Sequence, residues 1–239
     1  GRLHVGATFI VGRYVLPSPL FRFREQFADV DLLLHLDVHP DQLFRRLFAS
    51  TLDLACYVRV ATPSGLTVES IGNEELVVAA APRHALARRR RISAQELSRY
   101  PFIASAVPAY REMVAARLRE AGVAPQVAGH GQHQDALKRL VERDRGYSVL
   151  VRSAVAEELA STRLVALNLV GAPFQTDILV AYRAASGGSP LVRRFIDFIR
   201  GELAAARMPR EAGRRRQSPG PLNAAEIRST PARRKQSSP

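Results

Sequence analysis

Apolar positions near the start of the chain follow two different periods. Leu3-His4-Val5-Gly6 alternates and reads as a buried strand. Leu16, Leu20, Phe23 and Phe27 are spaced four, three and four, which is one face of an α-helix. Between them stand small and hydroxylic residues, Ala7-Thr8. A strand running into a helix N-terminus leaves backbone N–H groups unpaired, here with a hydroxyl beside them. That makes a standing site for a small anion or carboxylate. In a parallel sheet, this turn would lie at the carboxyl end, where open α/β sheets bind ligands.

The pattern continues along the chain. Val30, Leu32, Leu34 and Leu36 recur with period two and predict a second strand. Pro40-Asp41 opens a helix with Leu43, Phe44, Leu47 and Phe48 on one face, and Leu52–Val58 is nearly continuously apolar, as in a strand buried on both faces. Residues 1–58 therefore read β-α-β-α-β. After a loop at 61–65, strands are expected at Glu75–Ala81, Phe102–Ala104, Val127, Tyr147–Val151, Leu164–Leu169 and Ile178–Tyr182. Helices are expected after the Ser93/Glu96 capping box, from Arg111 to Ala121 with Gly122 as the stop, and over Gln134–Glu142 and Ser153–Leu159. A last helix begins with Ser189 as cap and Pro190 at its first position. This alternation predicts an α/β architecture with largely parallel sheets. Breaks near residues 70 and 175 predict two subdomains, 1–72 with 175–207 and 73–174, between which the chain crosses twice. Residues 208–239, rich in Pro, Ser, Gly and Arg, read as a disordered basic tail.

Composition narrows the classes. With 239 residues, 46% of them hydrophobic, the chain can bury the core of one large or two small domains. Its single cysteine, Cys56, excludes an internal disulfide framework and suits a reducing cytoplasm. No apolar run is long enough to span a membrane, and no secretory leader is visible. The net charge of +13 is uneven: residues 208–239 hold eight basic and two acidic residues, leaving +7 for residues 1–207. That is weak evidence for direct nucleic-acid contact. There is no Gly-x-Ser-x-Gly elbow, no phosphate-cradling glycine loop and no His-Glu-x-x-His, so an enzyme is not expected. His130 and His133 lack companion ligands at a familiar spacing, so neither a metal nor any other cofactor is expected.

Several segments, in order, resemble the effector-binding domain of LysR-type transcriptional regulators. They are Gly1–Thr8, Leu16-Pro17, Phe21–Arg24, Leu52-Asp53-Leu54-Ala55, Glu75–Val78 with Pro82-Arg83-His84-Ala85-Leu86, Ala136–Val141, Glu157–Leu159, and Ser189-Pro190 with Phe195–Ile199. The likeness covers residues 1–203 and looks nearest to the branch with regulators of carbon-fixation and sulfur genes. Ser50-Thr51 stands where that family usually has Gly, and Asp144-Arg145-Gly146 replaces a Gly-x-Gly turn, which requires Asp144 to take a left-handed backbone. The resemblance implies two Rossmann-like subdomains joined by two crossover strands, the type 2 periplasmic-binding-protein-like fold. It implies a small anionic or carboxylate effector in the cleft, a homodimer or homotetramer, and a cytoplasmic location. DNA would be contacted only through a winged helix-turn-helix that lies ahead of residue 1 and is absent from this chain. The other function this fold serves is that of a transporter's solute-binding protein.

Carried over position by position, the resemblance names Thr8, Phe9, Ser64, Tyr110, Arg111, His133 and Gln134 as ligand-binding candidates. Thr8 is either a ligand contact or a helix cap. Arg111 is either a bidentate oxyanion clamp or a solvated surface residue. His133 and Gln134 either donate to an oxyanion or cap the helix they precede. Thr62 and Ser64 are expected at the cleft mouth.

Overall fold

A computed structural model describes residues 1–171, 174–187 and 189–206. The predicted tail, 208–239, lies outside them. In chain order the elements begin with β1 (Arg2–Thr8), a π-helical turn at Val11–Val15, α1 (Pro17–Gln26), β2 (Asp31–Asp37), α2 (Pro40–Phe48), β3 (Leu54–Val58) and β4 (Leu66–Ala80). The middle of the chain forms α3 (Ala94–Leu97), β5 (Pro101–Ser105), α4 (Pro108–Glu120), β6 (Gln126–Gly131), α5 (Gln134–Glu142), β7 (Ser148–Val151), α6 (Arg152–Ala160) and β8 (Val165–Leu167). The return is made by β9 (Phe174–Arg183), a short α7 (Ala184–Gly187) and α8 (Pro190–Ala205).

β1 lies parallel between β2 and β3, and β3 pairs antiparallel with β9. β9 then runs antiparallel along β4 from Leu66/Arg183 to Leu76/Phe174, with a register shift between Ser70 and Gly72. From Leu76 onward β4 also pairs with β7, and from Val78 with β8. β5 and β6 form a separate parallel pair, tied to the start of β7 by Ile103 N–H to the Tyr147 carbonyl and Tyr147 N–H to the Pro101 carbonyl. β4 and β9 are thus the two strands on which the chain passes from one subdomain to the other and back. They make the sheets less parallel than the alternation of elements suggested, because a strand that returns through the same gap must run against its neighbour.

Burial explains most of the predicted elements. β3 is buried along its whole length, as its apolar run required. Phe23 of α1 is buried against Phe195 and Phe198 of α8, with ring centroids 5.2 and 5.3 Å apart. Such aromatic pairs contribute roughly 0.5–1.5 kcal/mol beyond their buried area. Two expectations are corrected. Phe48 ends α2 half-exposed instead of facing the core, and Ser189 precedes α8 without a side-chain capping bond. Asp144 does take the left-handed backbone, at φ 59°, and so does Ser50, at φ 61°.

Candidate ligand-binding cleft

The turns that follow five parallel strands converge on one cavity. Thr8 ends β1 and Phe9 and Ile10 follow it, Val38 and Pro40 follow β2, and Val58 ends β3 with Val60 beyond it. Facing them, Ser105 ends β5 with Val107, Ala109 and Tyr110 beyond it, and Gln132, His133 and Gln134 follow β6. The empty space is about 480 Å³, its opening included. The geometry has a simple cause: parallel strands end together, and their side chains and helix starts crowd the carboxyl edge. Past Pro40, Val60 and Ala109 the cavity widens into an open groove bordered by Arg59, Glu112 and Arg117.

Two polar atoms in this lining have no partner. Thr8 is 6% exposed and its Oγ1 accepts and donates nothing. Gln134 is 3% exposed and its Oε1 is unpaired. Tyr110 is itself buried and donates to the Val149 carbonyl at 3.3 Å. Burial pushes its phenol well above the usual range, and Gln134 offsets part of that. An unpaired buried polar atom costs about 1–3 kcal/mol, so this edge is less satisfied than the rest of the core. His133 precedes α5 without a side-chain cap bond, and its ring lies 5.3 Å from that of Phe9, across the cleft.

Of the seven candidates, Thr8, Phe9, Tyr110, His133 and Gln134 come together in this lining. Arg111 and Ser64 are outside it. The Arg111 guanidinium is turned back, Nη1 donating to the carbonyls of Ser105 and Ala106 at 3.3 Å each. Ser64 sits exposed in the turn before β4, and Thr62 is occupied by the Tyr57 hydroxyl at 2.8 Å. The apolar wall of Val38, Val58, Val60 and Val107 was not anticipated. Its signal is positional: each lies within two residues of the end of β2, β3 or β5.

Below the cavity a polar cluster links the turn after β1 to α5. The Tyr14 hydroxyl donates to Asp135 Oδ1 at 2.9 Å, Arg13 Nη2 lies 3.3 Å from Oδ2, and Lys138 Nζ lies 3.1 Å from Oδ1. Lys138 also meets Glu158 at 2.9 Å. Desolvation raises the Asp135 carboxyl, but the hydrogen bonds from Tyr14 and Lys138 bring it below the usual carboxylate range.

A family model described as the LysR substrate binding domain matches residues 1–204. The chain belongs to that family. It is 23% identical over 198 residues to the HTH-type transcriptional activator CmpR of Synechocystis sp., covering 81% of this chain and 64% of the relative. It is 26% identical to the HTH-type transcriptional regulator CbbR of Rhodospirillum rubrum, covering 87% of this chain and 67% of that one. The chain thus spans about two thirds of the length of these relatives. Among solved structures it is similar to the Synechocystis CcmR regulatory domain in complex with 2-PG, with a TM-score of 0.73, 22% identity, and coverage of 87% and 99% of the two chains. It is also similar to the effector binding domain of QuiR in complex with shikimate, with a TM-score of 0.73, 20% identity, and coverage of 86% and 98%. The fold is that of LysR effector-binding domains, two subdomains joined by two crossover strands in the manner of type 2 periplasmic binding proteins.

Proposed function

We propose that this chain is the small-molecule-sensing part of a LysR-type regulator of transcription. An effector entering the cleft favours one arrangement of the two subdomains, 1–72 with 175–207 against 73–174, and so resets how subunits of a homodimer or homotetramer sit together. The observation that carries this reading is the pair of buried, unpartnered groups, Thr8 Oγ1 and Gln134 Oε1, on opposite sides of one cavity. Bound 2-PG and shikimate in the two similar domains support it. The names of the relatives favour a regulator over a transporter's solute-binding protein.

In this reading the protein performs no catalysis and works in the cytoplasm, and DNA is contacted through a winged helix-turn-helix outside this chain. Among the described residues no helix is long and apolar enough to cross a membrane. Because Arg111 faces away, the lining brings no Lys or Arg to the anionic or carboxylate effector that the resemblance implies. A thermal-shift screen of carboxylates, phosphosugars, nucleotides and sulfur oxyanions tests the proposal. A ligand at about a hundred times its Kd stabilises the folded state by about 2.7 kcal/mol, which for a domain of this size is roughly 5–10 °C. A true effector should also lose its effect in Ala109→Trp, which fills the cavity. A shift that survives this substitution would count against the cleft.

A further inference from the structure

Among the described residues the cavity lining contains no Lys, Arg, Asp or Glu, and eight of its fourteen residues are aliphatic, Pro or Phe. An anion moved into such a space loses hydration and meets no countercharge, which is costly. The unpaired groups specify something else. Gln134 Oε1 is a pure acceptor, buried and without a partner, on a side chain that lines the space. A carboxylate placed against it would be repelled; a hydroxyl or N–H would complete it. Thr8 Oγ1 can take either role. Resting on the reading of the cleft as the effector site, we propose that its ligand is a small molecule with an apolar ring or branched body and a hydrogen-bond donor that meets Gln134, and that net negative charge is not what it recognises. Apolar contact with Val38, Val58, Val60 and Val107 supplies affinity, and the donor supplies orientation.

The test uses the full 239-residue chain and four probes: phenol, anisole, benzoate and inorganic phosphate. Phenol and anisole share a ring and differ in the donor; benzoate shares the ring and adds charge. Titration calorimetry and thermal shift should show phenol binding roughly tenfold tighter than anisole or benzoate, the weight of one hydrogen bond to a buried acceptor, and phosphate not at all. Gln134→Met keeps the side-chain length and should erase the preference for phenol over anisole. Thr8→Val, which keeps the shape and drops the hydroxyl, is a second variant and should weaken phenol. Ala109→Trp should abolish binding. If benzoate or phosphate binds better than phenol, and Ala109→Trp abolishes that binding, the ligand class is overturned while the cleft stands. Binding that survives Ala109→Trp removes both. An absence of any phenol shift overturns the ligand class.

Discussion

Arg111 has the residue type of an oxyanion clamp but not the orientation. Its guanidinium is held by two backbone carbonyls in the turn before α4. Arg111→Ala should therefore lower stability by no more than about 1 kcal/mol, since one bond is exposed and the other only part-buried. Effector affinity should stay within about twofold by calorimetry; a larger loss would return Arg111 to the site. Asp144 is the opposite case, a residue that costs stability where it stands. It holds a left-handed backbone, and its Oδ1 is buried without a partner. Asp144→Gly relieves both and should stabilise by about 1 kcal/mol, a rise in Tm of roughly 2–4 °C. Gly146 beside it would not tolerate the reverse change. A Cβ there would come 2.2 Å from the Pro101 carbonyl oxygen. The turn chemistry at 144 could be read from the sequence because it depends on one backbone angle. The direction of a long side chain depends on where distant carbonyls are placed, and periodicity carries no record of that.

Among the elements, β4 and β9 show where pattern reading stops. Only Glu75–Ala81 and Ile178–Tyr182 were anticipated, whereas the strands run from Leu66 and Phe174. The missed halves, Leu66–Glu74 and Phe174–Asp177, carry Thr67, Glu69, Ser70, Asn73, Glu74, Gln175 and Asp177. These lie outside the anticipated strands, yet Asn73 and Glu74 pair with Asp177 and Thr176, and Thr67, Glu69 and Ser70 pair with Tyr182, Val180 and Leu179. Polar ladders form here because helix α8 supplies countercharges. Glu69 accepts from Arg193 and Arg200 at 2.7 Å each and from the Tyr182 hydroxyl. The Arg193 hydrogen bond foremost, then that of Tyr182, holds the Glu69 carboxyl down at about 2, against an ordinary value of 4.5. A carboxylate with a depressed folded-state pKa stabilises fully above its unfolded value, and the effect is lost as pH falls through the folded one. The α8 anchor should thus be intact above about pH 5 and weaken toward pH 2. Glu69→Gln should lose about 1–2 kcal/mol at pH 7, discounted for partial exposure. Its urea midpoint should draw nearer to that of the unmodified chain as the pH is lowered from 5 toward 2. A constant gap across that range would mean that the Glu69 charge is not what holds the helix.

For the whole molecule, the question is what sets the distance between the two subdomains. β4 and β9 connect them by a ladder whose register shifts at Ser70/Gly72, so motion between them must bend these two strands. Among the described residues, groups that meet across the cleft include the Phe9 and His133 rings, Arg13 and Tyr14 on Asp135, and Lys138 over the Tyr14 ring. Arg13 and Asp135 are partly exposed, which limits each bond to about 1 kcal/mol or less. Their sum is of the order that shifts a two-state population five- to thirtyfold. That is small enough for a bound effector to oppose or reinforce. The cavity side of the interface is the unsatisfied one, with Thr8 and Gln134 unpaired, while the Asp135 side is fully bonded. Removing the bonded side should therefore release the subdomains without damaging the ligand contacts. Asp135→Ala should increase the radius of gyration in small-angle scattering, and addition of an effector should restore the compact value. Raising the salt concentration should reproduce part of the opening in the unmodified chain, because Arg13 and Asp135 are screened. Identical scattering curves for Asp135→Ala and the unmodified chain, with and without ligand, would show that the β4–β9 ladder alone fixes the separation, and signalling would then have to travel by a route other than closure.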